Sequence, residues 1–274
     1  YYSGLSPDDI DLVIWSGEEV KEYRNWPVGP KIQKELGLKK AWSFDMQQRC
    51  GTTLVAFKLA RDMIRADETL HNILVVSGYR NSDLIHYPNS RVRWMYYLAA
   101  GGAACVIQRN CPKNEILEGH CISDGSFAWD VYVPSGGSAA PMTVQDLKEN
   151  RQYLDVMDPV GMKERLERLS LSNWMLCIDR VLEKCGFQRS DVDYLATLLV
   201  KRSAHDYLVN QLGIDPEQTR YLAEFGHHGQ NDQILSLELA LEENRLTDGD
   251  LVLMISAGIG YAWNATALRW GKTE

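Results

Sequence analysis

Residues 41–53 read AWSFDMQQRCGTT, and this stretch decides the fold. Residues 41–46 are an apolar run interrupted only by Ser43 and Asp45, which predicts a buried strand. A short Gln-Gln-Arg bend leads to Cys50. From there to residue 66 the sequence reads as a helix. Its main apolar set is Leu54, Val55, Leu59, Met63 and Ile64, with Phe57 beside it. The steps of four from Val55 to Leu59 to Met63 have helical period, and Lys58, Arg61, Asp62 and Arg65 mark the wetter face. Gly51 permits close packing at the turn. A cysteine at a helix N-terminus has its thiolate favoured by the macrodipole and by free backbone N–H groups. That is what a thiol nucleophile needs, together with an exposed sulfur. The structural alternative is a buried core cysteine.

Outward from Cys50, strands and helices alternate. Strands are expected over residues 11–16, 72–77, 103–107, 116–123 and 129–133. A helix is expected over Val28–Leu36, with Pro30 in its first turn and Gly37 as its C-cap. Residues 134–141, PSGGSAAP, are the clearest loop signal. Residues 143–186 are mostly helical, with a break at Pro159 and Gly161. The second half repeats the pattern: strand 194–200, helix 203–212 closed by Gly213, helix 232–244, and strands 251–256 and 261–270. This alternation indicates a layered α/β protein.

The bulk numbers narrow the function. The chain has 274 residues, 45% of them hydrophobic and 24% charged, as in an ordinary globular protein. A net charge of −8 and a pI near 5.3 oppose non-specific nucleic-acid binding. The opening YYSGLSPDDIDLV has neither the basic nor the apolar region of a secretory signal. The apolar stretch 251–268 contains Gly258, Gly260 and Asn264, which fits a broken pair of strands better than a membrane helix. The six cysteines form no CxxC pair, so neither a zinc ribbon nor a disulfide scaffold is expected. They read as reduced thiols of a cytoplasmic protein, with no metal.

Three further segments carry candidate chemistry. Residues 225–232, FGHHGQND, set His227 and His228 between glycines just before a helix. An imidazole there can act as acid or base near neutral pH. The alternative is a polar turn capping the helix through Asn231 or Asp232. Residues 256–263, SAGIGYAW, put glycines between two apolar strands, where backbone N–H groups can face a ligand or merely form a tight hairpin. The spacing is not a dinucleotide fingerprint. Lys201 and Arg202 follow a strand and suit either a phosphate or plain solvation.

In their order and spacing these segments resemble β-ketoacyl-acyl carrier protein synthase III and its relatives in the thiolase superfamily. LVIWSGEE, ELGL, AWSFDMQQRCG, NILVVSG, LAAGGAACVI and LVLMISAGIGYAWNATALRW carry the resemblance. It implies a thiolase-like α/β fold: two similar halves, each with a mixed sheet, in a five-layered arrangement. The halves are expected at residues 1–140 and 141–274. Cys50 matches the acyl-accepting cysteine. The N–H of Ile259 matches an oxyanion-hole donor beside that of Cys50. Trp26 and Pro27 resemble an aromatic–proline pair at the acyl pocket. The resemblance implies a homodimer that takes acyl-CoA or acyl carrier protein thioesters as substrates and needs no other cofactor, nucleic acid or membrane.

The sequence departs from the family in three places. The several dozen residues that precede the point matching Tyr1, including a first core strand, have no match. The family's catalytic histidine falls at Leu198 or Leu199, and His205 lies too far along to replace it. The family's catalytic asparagine is His227. The expected set is therefore Cys50 with His227, supported by His228 and Asp232. The function expected is acyl transfer or condensation through a cysteine thioester. A catalytically silent subunit that pairs with an active partner is the alternative. An unrelated α/β hydrolase is a third reading, but no GxSxG elbow is present. A thiolase proper would have a second cysteine in the C-terminal glycine turn, and SAGIG has none.

Overall fold

The computed structural model describes residues 3–18 and 20–272; Tyr1, Tyr2, Glu19, Thr273 and Glu274 lie outside the described residues. The elements in chain order are β1 (Leu12–Ser16), α1 (Val28–Leu36), β2 (Trp42–Met46), α2 (Thr52–Ala66), β3 (Asn72–Tyr79) and β4 (Gly101–Gln108). Then come β5 (Lys113–Ser123), β6 (Val131–Tyr132), α3 (Val144–Lys148), β7 (Asp155–Val156) and α4 (Pro159–Cys185). The chain ends with β8 (Tyr194–Thr197), α5 (Arg202–Leu212), α6 (Asp232–Glu242), β9 (Leu251–Gly258) and β10 (Ala262–Lys272).

Two four-stranded mixed sheets form the frame, in the orders β2-β1-β3-β4 and β5-β10-β9-β8. In the first, β2, β1 and β3 are parallel and β4 is antiparallel to β3. In the second, β8 and β9 are parallel and β10 is antiparallel to β9. The two halves therefore share one plan. β5 adds an antiparallel strand beyond β10. The corresponding edge of β4 carries no strand among the described residues and borders a groove of about 1240 Å³. Because β5 joins the second sheet, the change of sheet falls at residues 109–112. A division at 140/141 would separate β5 from its own sheet.

Strand periodicity builds the layers. Val13 of β1 packs outward with Ile32, between α1 and the sheet, while Leu12 and Ile14 face α2. In β9, Val252 and Met254 point to that same central layer, where Leu237 and Ala240 of α6 also lie. Leu251, Leu253 and Ile255 point the other way, onto Ile178 and Val181 of α4. The sequence of layers is thus helix, sheet, central helices, sheet, helix: the five-layered arrangement of the thiolase-like fold.

Several local expectations need correction. β2 is an edge strand, so it is not fully buried, and Trp42 is 50% exposed. α2 is sandwiched between two sheets and buries more than one stripe: Leu54, Ala56, Phe57, Ala60 and Ile64 are in the core, while Leu59 faces solvent. Arg61 is buried rather than wet, and pairs with Glu118 of β5 and with Asp62. Pro159 and Gly161 do not break α4. Pro159 is its first residue, and the Asp158 carboxylate accepts the Gly161 amide at 2.9 Å. The strand expected over 129–133 shrinks to β6, paired with β7.

Candidate active site

Cys50 lies between β2 and α2, two residues before the first helical residue. Arg49, just before it, adopts the left-handed conformation with φ 52, an uncommon and costly state for a residue other than glycine. Thr52 holds this elbow. Its hydroxyl donates to the Arg49 carbonyl at 2.6 Å and accepts the Gln48 amide at 2.7 Å. Gly51 is required here, since a Cβ at that position would stand 2.3 Å from Nδ2 of Asn264. The glycine turn after β9 closes on the same elbow: a Cβ on Gly258 would lie 2.5 Å from the Gln48 carbonyl and 3.3 Å from the Cys50 amide nitrogen.

His227 comes from the turn before α6. Its amide donates to the Tyr97 carbonyl at 2.9 Å, and its own carbonyl accepts from Ala99 at 2.9 Å. Gly229 has φ 62, and a Cβ there would meet the Tyr79 ring at 2.3 Å. Gln230 is fully buried and donates to the Ser16 carbonyl at 3.1 Å and to Ser77 Oγ at 2.9 Å. The turn is thereby pinned across the ends of β1 and β3.

These two segments bring three side chains into line. Nε2 of His227 stands 3.2 Å from Sγ of Cys50. Nδ1 of His227 stands 2.5 Å from Oδ2 of Asp232. Asp232 is fully buried; its carboxylate also accepts the amides of Leu199 and His228, each at 2.7 Å. The Nδ1–H to carboxylate bond leaves Nε2 free to accept the thiol proton.

Burial pushes the Cys50 thiol up, although His227 pulls it back down. Burial thus opposes the thiolate that the helix-end position favours. Burial works to lower the His227 pKa, but Asp232 and Cys50 outweigh it and hold the ring well above its usual value. Asp232 thus makes His227 a stronger base toward the Cys50 thiol.

Cys50 and His227 open on a cavity of about 170 Å³, with Asp232 buried behind the imidazole. Ile259, Leu198 and Leu199 line it. The His227 ring lies between those of Tyr79 and Tyr97, with centroids 6.1 and 5.8 Å away. Burial pushes the phenols of Tyr79, Tyr97 and Tyr261 up, so they stay neutral donors. Trp26 and Pro27 do not line this cavity. Trp26 packs edge-on against Tyr23, and Pro27 caps α1. The His228 side chain rests near Gly101, so it supports the site through its amide alone. His205 bonds Thr219 at 3.3 Å, away from the cavity. Among the described residues, no cluster of His, Cys, Asp and Glu is placed to hold a metal ion, and no helix is long and apolar enough to cross a membrane.

Sequence reading missed Glu18, Arg49, Tyr79 and Tyr97, all of which line the cavity. The available signal was position: Glu18 follows the C-terminal end of β1 and Tyr79 ends β3, the side of a parallel sheet where ligands bind.

Comparison with known proteins places this architecture. The family model described as 3-oxoacyl-(acyl-carrier-protein) synthase III matches residues 44–125, and that of its C-terminal part matches residues 182–270. Together they take in more than half of the chain, including Cys50, His227 and Ile259. The chain belongs to the 3-oxoacyl-(acyl-carrier-protein) synthase III family. It is 27% identical over 273 residues to the β-ketoacyl-(acyl-carrier-protein) synthase III of Symbiobacterium thermophilum, covering 98% of this chain and 79% of that protein. The solved 3-oxoacyl-(acyl-carrier-protein) synthase III of Aquifex aeolicus superimposes with a TM-score of 0.81 at 21% identity, over 97% of this chain and 79% of that one. The synthase III of Thermus thermophilus gives a TM-score of 0.80 at 20% identity, over 97% and 78%. These two structural likenesses speak to the fold, and the synthase III family is one of acyltransferases of the thiolase superfamily.

Proposed function

We propose that this chain transfers an acyl group from an acyl-CoA or acyl carrier protein thioester through an S-acyl intermediate on Cys50. The observation that carries this reading is the Cys50–His227–Asp232 line, with contacts of 3.2 and 2.5 Å. His227 takes the thiol proton as Sγ attacks the thioester carbonyl. The N–H groups of Cys50 and Ile259, on the two turns that meet at Gly258, receive the oxyanion. The carrier thiol leaves, and an acceptor then attacks the acyl-Cys50 carbonyl and releases the sulfur.

Leu198 and Leu199 bear on the acceptor. Decarboxylative condensation needs two polar groups aimed at the thioester enolate; leucines line the cavity where the resemblance puts the family's histidine, and of the polar groups around it His227 is the one bonded to Cys50. That favours transfer to an oxygen or nitrogen nucleophile. Nothing favours the catalytically silent subunit, because the three groups are assembled within one chain. A cytoplasmic homodimer completes the reading, on the free thiols and on the exposed Trp42 of edge strand β2.

Intact-mass spectrometry after incubation with acetyl-CoA tests the proposal. A single acetyl adduct on the wild type, absent in Cys50→Ala, is expected. An equal adduct on Cys50→Ala removes it. Malonyl carrier-protein decarboxylation as fast as acyl transfer removes the preference for oxygen or nitrogen acceptors.

A further inference from the structure

Glu18 lies two residues past β1, and the Cys50–His227–Asp232 line makes no use of it. Its side chain is 1% exposed, yet it lines the same cavity as Cys50, Tyr79 and His227. Neither carboxylate oxygen has a well-formed hydrogen bond. Arg49 Nη1 stands 3.5 Å from Oε2, longer than a charge-assisted hydrogen bond. A carboxyl buried in this way costs stability, and such groups mark functional sites. Its backbone is fixed against the nucleophile's helix. The Gly17 amide donates to the Met46 carbonyl at 3.1 Å, and the Gly17 carbonyl lies 3.4 Å from Thr52 Oγ1. Glu18 is therefore a held group facing the reaction space.

We infer that Glu18 is a second acid–base group of this site, serving the leaving carrier thiol and then the acceptor; the inference rests on the acyl-Cys50 reading above. His227 bonds Sγ, so its proton belongs to the sulfur. The atom that departs in the first half-reaction and the atom that attacks in the second stand on the other side of the carbonyl carbon. They need their own group.

The protons balance as follows. In acylation the Cys50 proton passes to His227, the new S–C bond forms, and the carrier C–S bond breaks. The carrier thiolate takes the proton of the Glu18 carboxylic acid. In deacylation the Glu18 carboxylate takes the proton of the acceptor as its oxygen or nitrogen bonds the carbonyl carbon. The Cys50 S–C bond breaks, and the sulfur recovers its proton from His227. Both groups end as they began.

The groups facing Glu18 are Arg49, Asn81, His227, Cys50 and Tyr79. Burial pushes the Glu18 carboxyl up to about 7, against the pull of Arg49, Asn81 and His227. Both of its protonation states are then populated near neutral pH, as a group that gives and takes protons requires.

The test is single-turnover acetylation with acetyl-CoA, water serving as acceptor, followed by intact mass. Glu18→Gln should still form the Cys50 adduct, with thiol release slowed less than about tenfold, because a thiolate is a tolerable leaving group. The adduct should then decay on the order of 100-fold more slowly than in the wild type. Decay at the wild-type rate overturns the inference and leaves the acyl-Cys50 reading standing. Absence of any adduct on the wild type overturns that reading instead. Should Glu18→Gln fail to fold, the wild-type pH profile decides. The decay rate is expected to rise with pH through about 7, and a flat profile from about pH 5 to 9 overturns the inference.

Discussion

His227 and Asp232 are five residues apart in the chain, yet their side chains meet at 2.5 Å. Gly229, at φ 62, turns the chain between them so that the first residue of α6 reaches back to the imidazole. Asp232 also receives the Leu199 amide from the segment after β8. One buried carboxylate thus orients the base and ties it to the second sheet.

Asp232→Asn should separate orientation from charge. The amide keeps the shape but cannot hold the Nδ1 proton in place, and His227 loses the partner that raises its pKa. Acylation by acetyl-CoA is expected to fall on the order of 1000-fold, with the Cys50 thiol still alkylated by iodoacetamide. A loss below tenfold, measured by stopped-flow thiol release, would show that Asp232 is a structural anchor only.

Much of the fold was legible because it is local. α1 ends at Gly37, at φ 67, as a C-cap should, and the alternation in β1 and β9 sorts their side chains between layers. Cys50 and His227 were legible for the same reason, since each precedes a helix with glycine beside it, and Asp232 was legible as the first residue of that second helix. Glu18 and Tyr79 were not. Their partnership depends on β1 and β3 lying parallel with Ser16 opposite Ser77, a register fixed only by the assembled sheet. Arg61 was misread because amphipathic patterning assumes one buried face, and α2 has two sheets against it.

Gly229→Ala tests how tightly the turn is specified. The added methyl meets the Tyr79 ring at 2.3 Å and must adopt a positive φ. A loss of about 2–4 kcal/mol is expected in urea unfolding. Activity should fall further than stability accounts for, because His227 moves with the turn. Substitution without measurable loss of either would mean that the turn is not rigid.

Arg61→Ala and Arg61→Met distinguish charge pairing from packing. Arg61 is buried and pairs with Glu118 across α2 and β5. Alanine leaves Glu118 short of its partner and opens a void, for a cost of about 3 kcal/mol in thermal or urea denaturation. Methionine fills the space and should recover about half of that loss. Equal losses in the two variants would assign the whole effect to the ion pair.

Glu18→Gln makes a stability prediction independent of turnover. The folded-state pKa of Glu18 is raised from 4.5 to about 7. In both folded and unfolded chains the group is protonated below about pH 4.5, so it carries no penalty there. Between the two values the unfolded chain ionises first, and stability falls as pH rises, levelling off above about 7. The size of this loss is on the order of 3 kcal/mol for a shift of that extent. Gln cannot ionise, so the loss should vanish: the variant is expected to match the wild type near pH 5 and to exceed it near pH 8. Parallel urea titrations at the two pH values measure it. A wild-type advantage at pH 8 would mean that Arg49 stabilises the Glu18 carboxylate more than burial penalises it, and that Glu18 enters the cycle as a base already ionised.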